Sequence, residues 1–138
     1  MNIDGSNLIL GRMSSVIAKK ALLGESINIF NCESIIISGD RVMVTNQAFE
    51  QVRRGNRENG PFISRYPDRY VRRSIKRMLP FKTKRGMAAF HRIMCYMGVP
   101  SEFRELKLET IKGAELSRLN SLKYTNIGSI CKQLGGKI

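Results

Sequence analysis

Short apolar segments alternate with amphipathic ones along the first half of the chain. Ile3 marks a short opening strand, and Gly11 to Leu23 carries apolar residues at the spacing of a helix. Ile27 to Phe30 is a second strand, and Glu33 to Ser38 contains three consecutive isoleucines, typical of a strand buried on both faces. Arg41 to Arg54 predicts a second helix. This alternation favours an α/β domain with parallel strand pairing.

The middle of the chain contains its clearest helix. Residues 56–66 are rich in turn residues and predict a loop. Pro67 suits the first position of a helix that runs to Leu79, and Pro80 ends it. The apolar half of this helix carries Tyr70, Val71, Ser74, Ile75, Met78 and Leu79. The other half carries Arg69, Arg72, Arg73, Lys76 and Arg77. We therefore expect one side to pack on a core and the other to expose five cations.

The predicted elements after this helix are shorter. Residues 81–86 predict a short basic loop. Its part from Lys82 to Gly86 has no apolar residue to anchor it, so we expect this part to be mobile in the free protein. Residues 87–92 predict a short helix, and residues 93–97 predict a strand. Residues 127–134 predict a final helix that a pair of glycines closes.

Length and composition predict one folded domain over residues 1–138. The chain is 42% hydrophobic, close to the globular norm, and no apolar run approaches the length of a transmembrane span. The first residues do not resemble a signal peptide, so we expect a soluble intracellular protein. Cys32, Cys95 and Cys131 are widely spaced, and the only histidine is His91, which disfavours a zinc site. Inert thiols in a reducing cytosol are the expected state of these cysteines.

Positive charge is concentrated in one segment. Residues 53–92 hold 13 basic and two acidic side chains, a net charge of +11 out of +13 for the whole chain. Ten of the 13 are arginines, whose planar guanidinium suits phosphate oxygens and stacking on bases. Solvated charged faces usually mix both signs, and an anionic membrane would leave the apolar face of the central helix without a core. The segment therefore predicts nucleic-acid binding, because a polyanion offsets such self-repulsion.

Four aromatic residues are interleaved with these cations. They are Phe62, Tyr66, Tyr70 and Phe81. Each could pack in a core or stack on an unpaired base. Core packing is the favoured interpretation, above all for Tyr70, which lies on the apolar face of its helix.

Candidate catalytic chemistry is sparse. Gly11 opens a helix after a strand-like segment, as in a phosphate-binding turn, but neither nucleotide-binding glycine pattern is present. Close packing of the helix on a strand is the favoured explanation of Gly11. His91 has no catalytic partner nearby in sequence. We predict no catalytic residue, no metal and no cofactor, and keep a small nucleotide-binding α/β enzyme as the alternative.

Several motifs, taken together and in order, resemble one known family. They are Leu10-Gly11-Arg12-Met13-Ser14-Ser15, Asn31-Cys32-Glu33, Arg77-Met78-Leu79-Pro80, Lys82-Thr83-Lys84-Arg85-Gly86 and Tyr96-Met97-Gly98-Val99-Pro100. They are similar to the universal ribosomal large-subunit protein thirteen family. Gly60-Pro61-Phe62 and the intact Lys-Thr-Lys-Arg-Gly segment resemble its eukaryotic and archaeal branch, the eukaryotic thirteen-a type.

The resemblance implies a three-layer α/β/α fold around a small, mostly parallel sheet of about four strands, with a short C-terminal helical extension. It implies a structural role on the large ribosomal subunit, bound to large-subunit ribosomal RNA and neighbouring ribosomal proteins, with no catalysis, small-molecule substrate or membrane. The expected location is the cytosolic ribosome, with transient nucleolar assembly in a eukaryote. A second role, regulating translation by binding messenger RNA, would use the same basic face.

The predicted RNA-binding residues come from the resemblance and from the charge cluster. The basic centre of the family aligns with Arg65, Arg69, Arg72, Arg73, Lys76, Arg77, Lys82, Thr83, Lys84 and Arg85. The cluster adds Arg53, Arg54, Arg57 and Arg92.

Overall fold

Helices and strands alternate along the chain in a computed structural model that describes residues 1–56, 58–136 and 138. Arg57, one of the predicted RNA-binding residues, lies outside the described residues. The strands are β1 (Asn2–Asp4), β2 (Ile27–Phe30), β3 (Ile36–Ser38), β4 (Ile93–Cys95) and β5 (Tyr124–Asn126). The helices are α1 (Leu10–Leu22), α2 (Arg41–Arg53), α3 (Pro67–Met78), α4 (Lys84–His91) and α5 (Ile127–Gln133).

The strands form two small sheets. Strands β1, β2 and β4 are parallel with β2 in the centre, and Ile29 lies opposite both Ile3 and Cys95. Strands β3 and β5 pair antiparallel. The predicted α/β class with mostly parallel pairing is confirmed. The strand predicted over residues 33–38 is shorter than expected, because residues 32–34 form a 3₁₀ turn.

One hydrophobic core joins the parallel sheet to helices α1 and α3. Ile3, Ile27, Ile29 and Ile93 line the core side of the sheet. The helices add Met13, Ile17, Ala21, Val71, Ile75 and Leu79 to the same core. Full burial of one such aliphatic side chain stabilises a fold by about 1.5–3 kcal/mol. The predicted apolar faces of both helices are thus confirmed, although Met78 of the α3 face is 43% exposed.

Helix α2 packs separately, on a smaller cluster. Ala48 is buried against Ile130 and Leu134 of the C-terminal region, with Phe49 and Val52 partly buried beside it. Its first turn is capped by the carboxylate of Asp40, which accepts a hydrogen bond from the Val42 amide at 3.1 Å. The predicted second helix is confirmed.

The basic loop predicted over residues 81–86 is shorter than expected. Helix α4 already begins at Lys84, because the Thr83 hydroxyl accepts from the Gly86 amide at 3.1 Å and donates to the Pro80 carbonyl at 2.8 Å. Gly86 is helical, and a Cβ there would overlap the Pro80 carbonyl oxygen. Phe81 anchors the segment, with its ring edge-on to Phe90 at 5.4 Å. The corner between α3 and α4 is therefore a packed structure.

The explanation of Gly11 by close packing is also wrong. Gly11 is exposed in the first turn of α1, and apart from its chain neighbours and the backbone of its own helix no described atom lies within 4 Å of the position a Cβ would take. Among the described helices, none is long and apolar enough to cross a bilayer.

Candidate nucleic-acid interface

The predicted basic residues are distributed over α2, α3, α4 and the segments between them. Arg53 and Arg54 lie at the C-terminal end of α2, and Arg65 lies in the loop before α3. Helix α3 carries Arg69, Arg72, Arg73, Lys76 and Arg77. Lys82 and Thr83 connect α3 to α4, Lys84 and Arg85 begin α4, and Arg92 follows it.

Few acidic side chains lie near these cations. Across the described ranges, the one ion pair within 4.0 Å joins Lys123 to Asp40, outside the basic segment. Asp68 is the acid nearest to them along α3, yet its Oδ1 atom is buried without a hydrogen-bond partner among the described residues, as is Nε of Arg72. The positive charge of the segment is thus left uncompensated by the protein itself, as the sequence predicts.

Two grooves bring residues of the segment together. The loop groove, about 600 Å³, lies between the loop before α3 and the C-terminal glycines and is lined by Phe62, Ile63, Ser64, Arg65, Tyr66, Arg69, Gly135 and Gly136. The helix groove, about 360 Å³, lies along α3 and is lined by Pro61, Phe62, Arg69, Arg72, Arg73, Lys76 and Phe90. A Cβ on Gly136 would overlap the Arg65 carbonyl oxygen, so glycine permits the close approach that forms the loop groove.

Two cations of the helix groove are held on aromatic rings. The Arg72 guanidinium lies 4.6 Å from the centre of the Phe90 ring, and the Lys76 ammonium lies 3.8 Å from that of Phe81. Arg72, Arg73 and Lys76 are half-buried. The expectation that α3 exposes all five cations therefore holds only in part, because Arg72 and Lys76 pack on the Phe90 and Phe81 rings and Arg73 donates to the Phe62 carbonyl at 3.4 Å.

Two other predicted residues contact the end of helix α1. Arg92 donates to the Ala21 carbonyl at 3.3 Å, and Arg85 approaches the Leu22 carbonyl at 3.5 Å. The last carbonyls of a helix lack partners within it and carry partial negative charge, so these cations stabilise the α1 terminus. Thr83 is likewise engaged, as the cap of α4. Lys82 and Lys84 are exposed.

Tyr70 and Cys131, two ionisable groups on the core side of α3, are uncharged at neutral pH. Burial raises the pKa of the Tyr70 phenol, and the nearby Cys131 thiol raises it further. Burial, followed by the nearby Asp68 carboxylate, raises the pKa of Cys131 to about 11. Neither group offers an anion to the cations on the other side of the helix.

Of the four aromatic residues interleaved with the cations, some are packed inside the protein and others are exposed to solvent. Tyr70 is partly buried against the core, so core packing holds for it. Phe81 packs edge-on against Phe90, which itself lies against the core. Phe62 is 76% exposed, so core packing is wrong for it. Tyr66 is 40% exposed, with the Arg69 guanidinium 5.8 Å from its ring centre. Phe90 also lines the helix groove. The sequence around Phe90 does not predict this position, because Phe90 reaches the groove from a different helix.

His91 is exposed at the end of α4. Within residues 1–56, 58–136 and 138, no three histidine, cysteine, aspartate or glutamate side chains are grouped so as to hold a metal ion.

Comparison with known proteins gives one consistent result. Residues 1–102 match the model of the family described as ribosomal protein L13. The large ribosomal subunit protein uL13 of Methanococcoides burtonii is 42% identical over 136 residues, which cover 98% of this chain and 97% of that protein. The protein of the same name from Methanopyrus kandleri is 40% identical over 135 residues, covering 96% of this chain and 85% of its own length.

Proposed function

The chain belongs to the ribosomal protein L13 family, and from this premise we propose that it is a structural constituent of the large ribosomal subunit whose basic surface binds large-subunit ribosomal RNA. Members of this family are structural and non-enzymatic, so the small nucleotide-binding enzyme is set aside. The predicted membership of the thirteen family is confirmed.

The helix groove is the observation that carries the RNA-binding proposal. Arg69, Arg72, Arg73 and Lys76 line one groove of about 360 Å³ on a single helix. Val71 and Ile75 fix that helix in the core with no exposed surface. The groove thus presents four cations from a rigid support, which lowers the entropic cost of ordering them around a phosphate backbone.

The remaining predicted residues extend this surface in our proposal. Arg65 continues it into the loop groove, while Lys82 and Lys84 extend it beyond the C-terminal end of α3. The proposal also includes Arg77 in the last turn of α3 and Arg53 and Arg54 at the end of α2. Arg85 and Arg92 contribute charge while contacting α1. Arg57 stays a prediction from sequence. We also propose that the protein contacts neighbouring ribosomal proteins and is located on the cytosolic ribosome, with assembly in the nucleolus in a eukaryote. If it also regulates translation by binding messenger RNA, it would use the same cations.

Charge reversal of the helix groove tests the proposal. Arg72→Glu, Arg73→Glu and Lys76→Glu are combined in one variant, and Lys19→Glu, Lys107→Glu and Lys112→Glu in a control that changes net charge equally at exposed sites outside the segment. We expect the groove variant to lose co-sedimentation with large subunits after a high-salt wash, and the control to keep it. Circular dichroism checks that both are folded. Equal incorporation of the two folded variants would contradict the proposal.

Salt dependence provides the matching measurement on free RNA. A surface that contacts six to ten phosphates loses about 10³- to 10⁵-fold in affinity between 50 and 200 mM salt. We expect the wild type to follow this trend and the groove variant to show a shallower slope. A flat response of the wild type would exclude phosphate contacts as the main source of affinity.

A further inference from the structure

Phe62 is a large apolar side chain exposed within a strongly cationic surface. Its side chain is 76% exposed, although the residue lies among arginines and not at the edge of the molecule's apolar core. Phe62 and Arg69 each line both the loop groove and the helix groove. Phe62 therefore stands where the two cation-lined grooves meet, and a strand of polyanion that follows both must pass its ring.

The Phe62 ring is held in place despite its exposure. A Cβ on Gly60 would lie 3.1 and 3.2 Å from two ring carbons, so the ring packs over a position that only glycine leaves open. The backbone is tied to α3, because Nη1 of Arg73 donates to the Phe62 carbonyl at 3.4 Å. A ring positioned before binding loses less conformational freedom when a ligand stacks on it.

The other phenylalanines of this surface already have partners. Phe81 and Phe90 contact each other edge-on, and Lys76 and Arg72 lie over their faces. In the part of the chain that the structure describes, no aromatic ring and no cation stacks on Phe62. Its π-face is the one aromatic surface here that a ligand can use without displacing a protein contact.

We propose that Phe62 is a stacking platform for one unpaired RNA base, with the flanking phosphates held by Arg65 and Arg69 in the loop groove and by Arg73 and Lys76 in the helix groove. This inference rests on the proposed function and specifies it, since phosphate contacts alone would not require unpaired RNA. Both grooves lie within the range of about 300–1,000 Å³ that is usual for ligand clefts.

Charge complementarity favours a nucleotide over an apolar protein segment as the occupant. A protein segment covering Phe62 would also cover Arg69 and Arg73 and remove them from water, at a large cost unless it brought carboxylates. A nucleotide supplies a π-face and an anion within one unit, which matches the alternation of ring and cations along the two grooves.

The test compares single-stranded with paired RNA. The probes are a 12-nucleotide single strand with one central 2-aminopurine and a blunt 12-base-pair duplex, titrated with full-length protein at one fixed salt concentration. Phe62→Ala removes the ring, Phe62→Tyr retains a ring, and Met43→Ala removes a comparably exposed apolar side chain, 64% exposed, from α2. We expect the wild type to quench 2-aminopurine fluorescence, because the Phe62 ring stacks on that base, and Phe62→Ala to abolish this quenching. Phe62→Ala should weaken single-strand binding by roughly 5- to 150-fold. Its affinity for the duplex should stay within about twofold of the wild type.

The controls separate this inference from the function on which it rests. Phe62→Tyr should retain quenching and affinity, and Met43→Ala should behave as the wild type. If Phe62→Ala loses nothing, or loses single-strand and duplex affinity equally, the stacking platform is overturned while RNA binding stands. If it keeps both affinities but fails to enter large subunits, Phe62 contacts a protein and the platform is again overturned. A wild type with no salt-dependent RNA binding overturns the proposed function as well.

Discussion

Helices α2 and α3 are nearly equal in length, 13 and 12 residues, yet they are held in very different ways. Helix α3 buries Val71 and Ile75 completely in the main core, beside α1 and the sheet. Helix α2 buries only Ala48 among its own residues and leaves Val42 and Met43 largely exposed. A segregated apolar stripe anchors a helix, whereas a mixed sequence leaves it at the periphery.

This difference bears on function, because the anchored helix is also the one that carries the cations. Like charges on a mobile element can move apart, but those on α3 are fixed by burial beneath them and by aromatic rings beside them. The repulsion among the cations of α3 therefore destabilises the folded protein, and a polyanion that binds to α3 relieves this repulsion. Helix α2 contributes Arg53, at its last turn, to the basic segment, and its other cation, Arg41, lies at the opposite end of the helix.

The largest expected difference in stability is between a variant with an aspartate in α3 and a variant with an aspartate in α2. Ile75→Asp would bury an unpaired carboxylate under α3, and we expect it to destabilise the fold by about 4 kcal/mol or more. Met43→Asp, in the exposed first turn of α2, should stay within about 0.5 kcal/mol, since an acid there suits the helix N-terminus. Thermal unfolding followed by circular dichroism measures both. Similar melting temperatures would show that α3 is not the anchored helix.

A smaller effect is expected where α3 joins α4. Gly86→Ala would force a methyl group against the Pro80 carbonyl and should cost about 1–3 kcal/mol. Gly11→Ala is the matched control, because its helical position is free of neighbouring described atoms; it should stabilise by roughly 0.5–1 kcal/mol. Urea denaturation midpoints should move in opposite directions. If both move upward, the α3–α4 corner is looser than the contacts indicate.

The smallest expected effect concerns the cation–aromatic contacts. Lys76→Met removes an ammonium 3.8 Å from the Phe81 ring centre, whereas Arg53→Met removes a guanidinium 6.0 Å from that of Phe49. Both variants remove one positive charge, and Lys76 has the closer contact with a ring. We expect Lys76→Met to be less stable than Arg53→Met by about 0.5–1 kcal/mol in urea denaturation. Equal stability would mean that Lys76 is held by the helix alone.

Much of the fold follows from local sequence signals. The two faces of α3 separate by periodicity, and Pro67 and Pro80 delimit it. The four-residue spacing of apolar residues predicts α1, and the pair of closing glycines marks the end of α5, each to within a residue or two. Strand β5 gives no such signal, because Tyr124 and Asn126 are exposed and Thr125 is its only buried residue. Its pairing with β3 depends on a partner some 86 positions away, Tyr124 lying opposite Ser38.

The α/β class, the anchored helix and the concentration of cations in residues 53–92 can be predicted from the sequence, because propensity, periodicity and charge act within one element or along the chain. The contacts of Arg72 and Lys76 with aromatic rings of the neighbouring segment, and the position of Phe62 outside the core, depend on how the elements pack together. The helix groove unites Phe62, Arg73 and Phe90 from three different elements. Residues so far apart in sequence meet only when the core has positioned the elements that carry them, which no local pattern encodes.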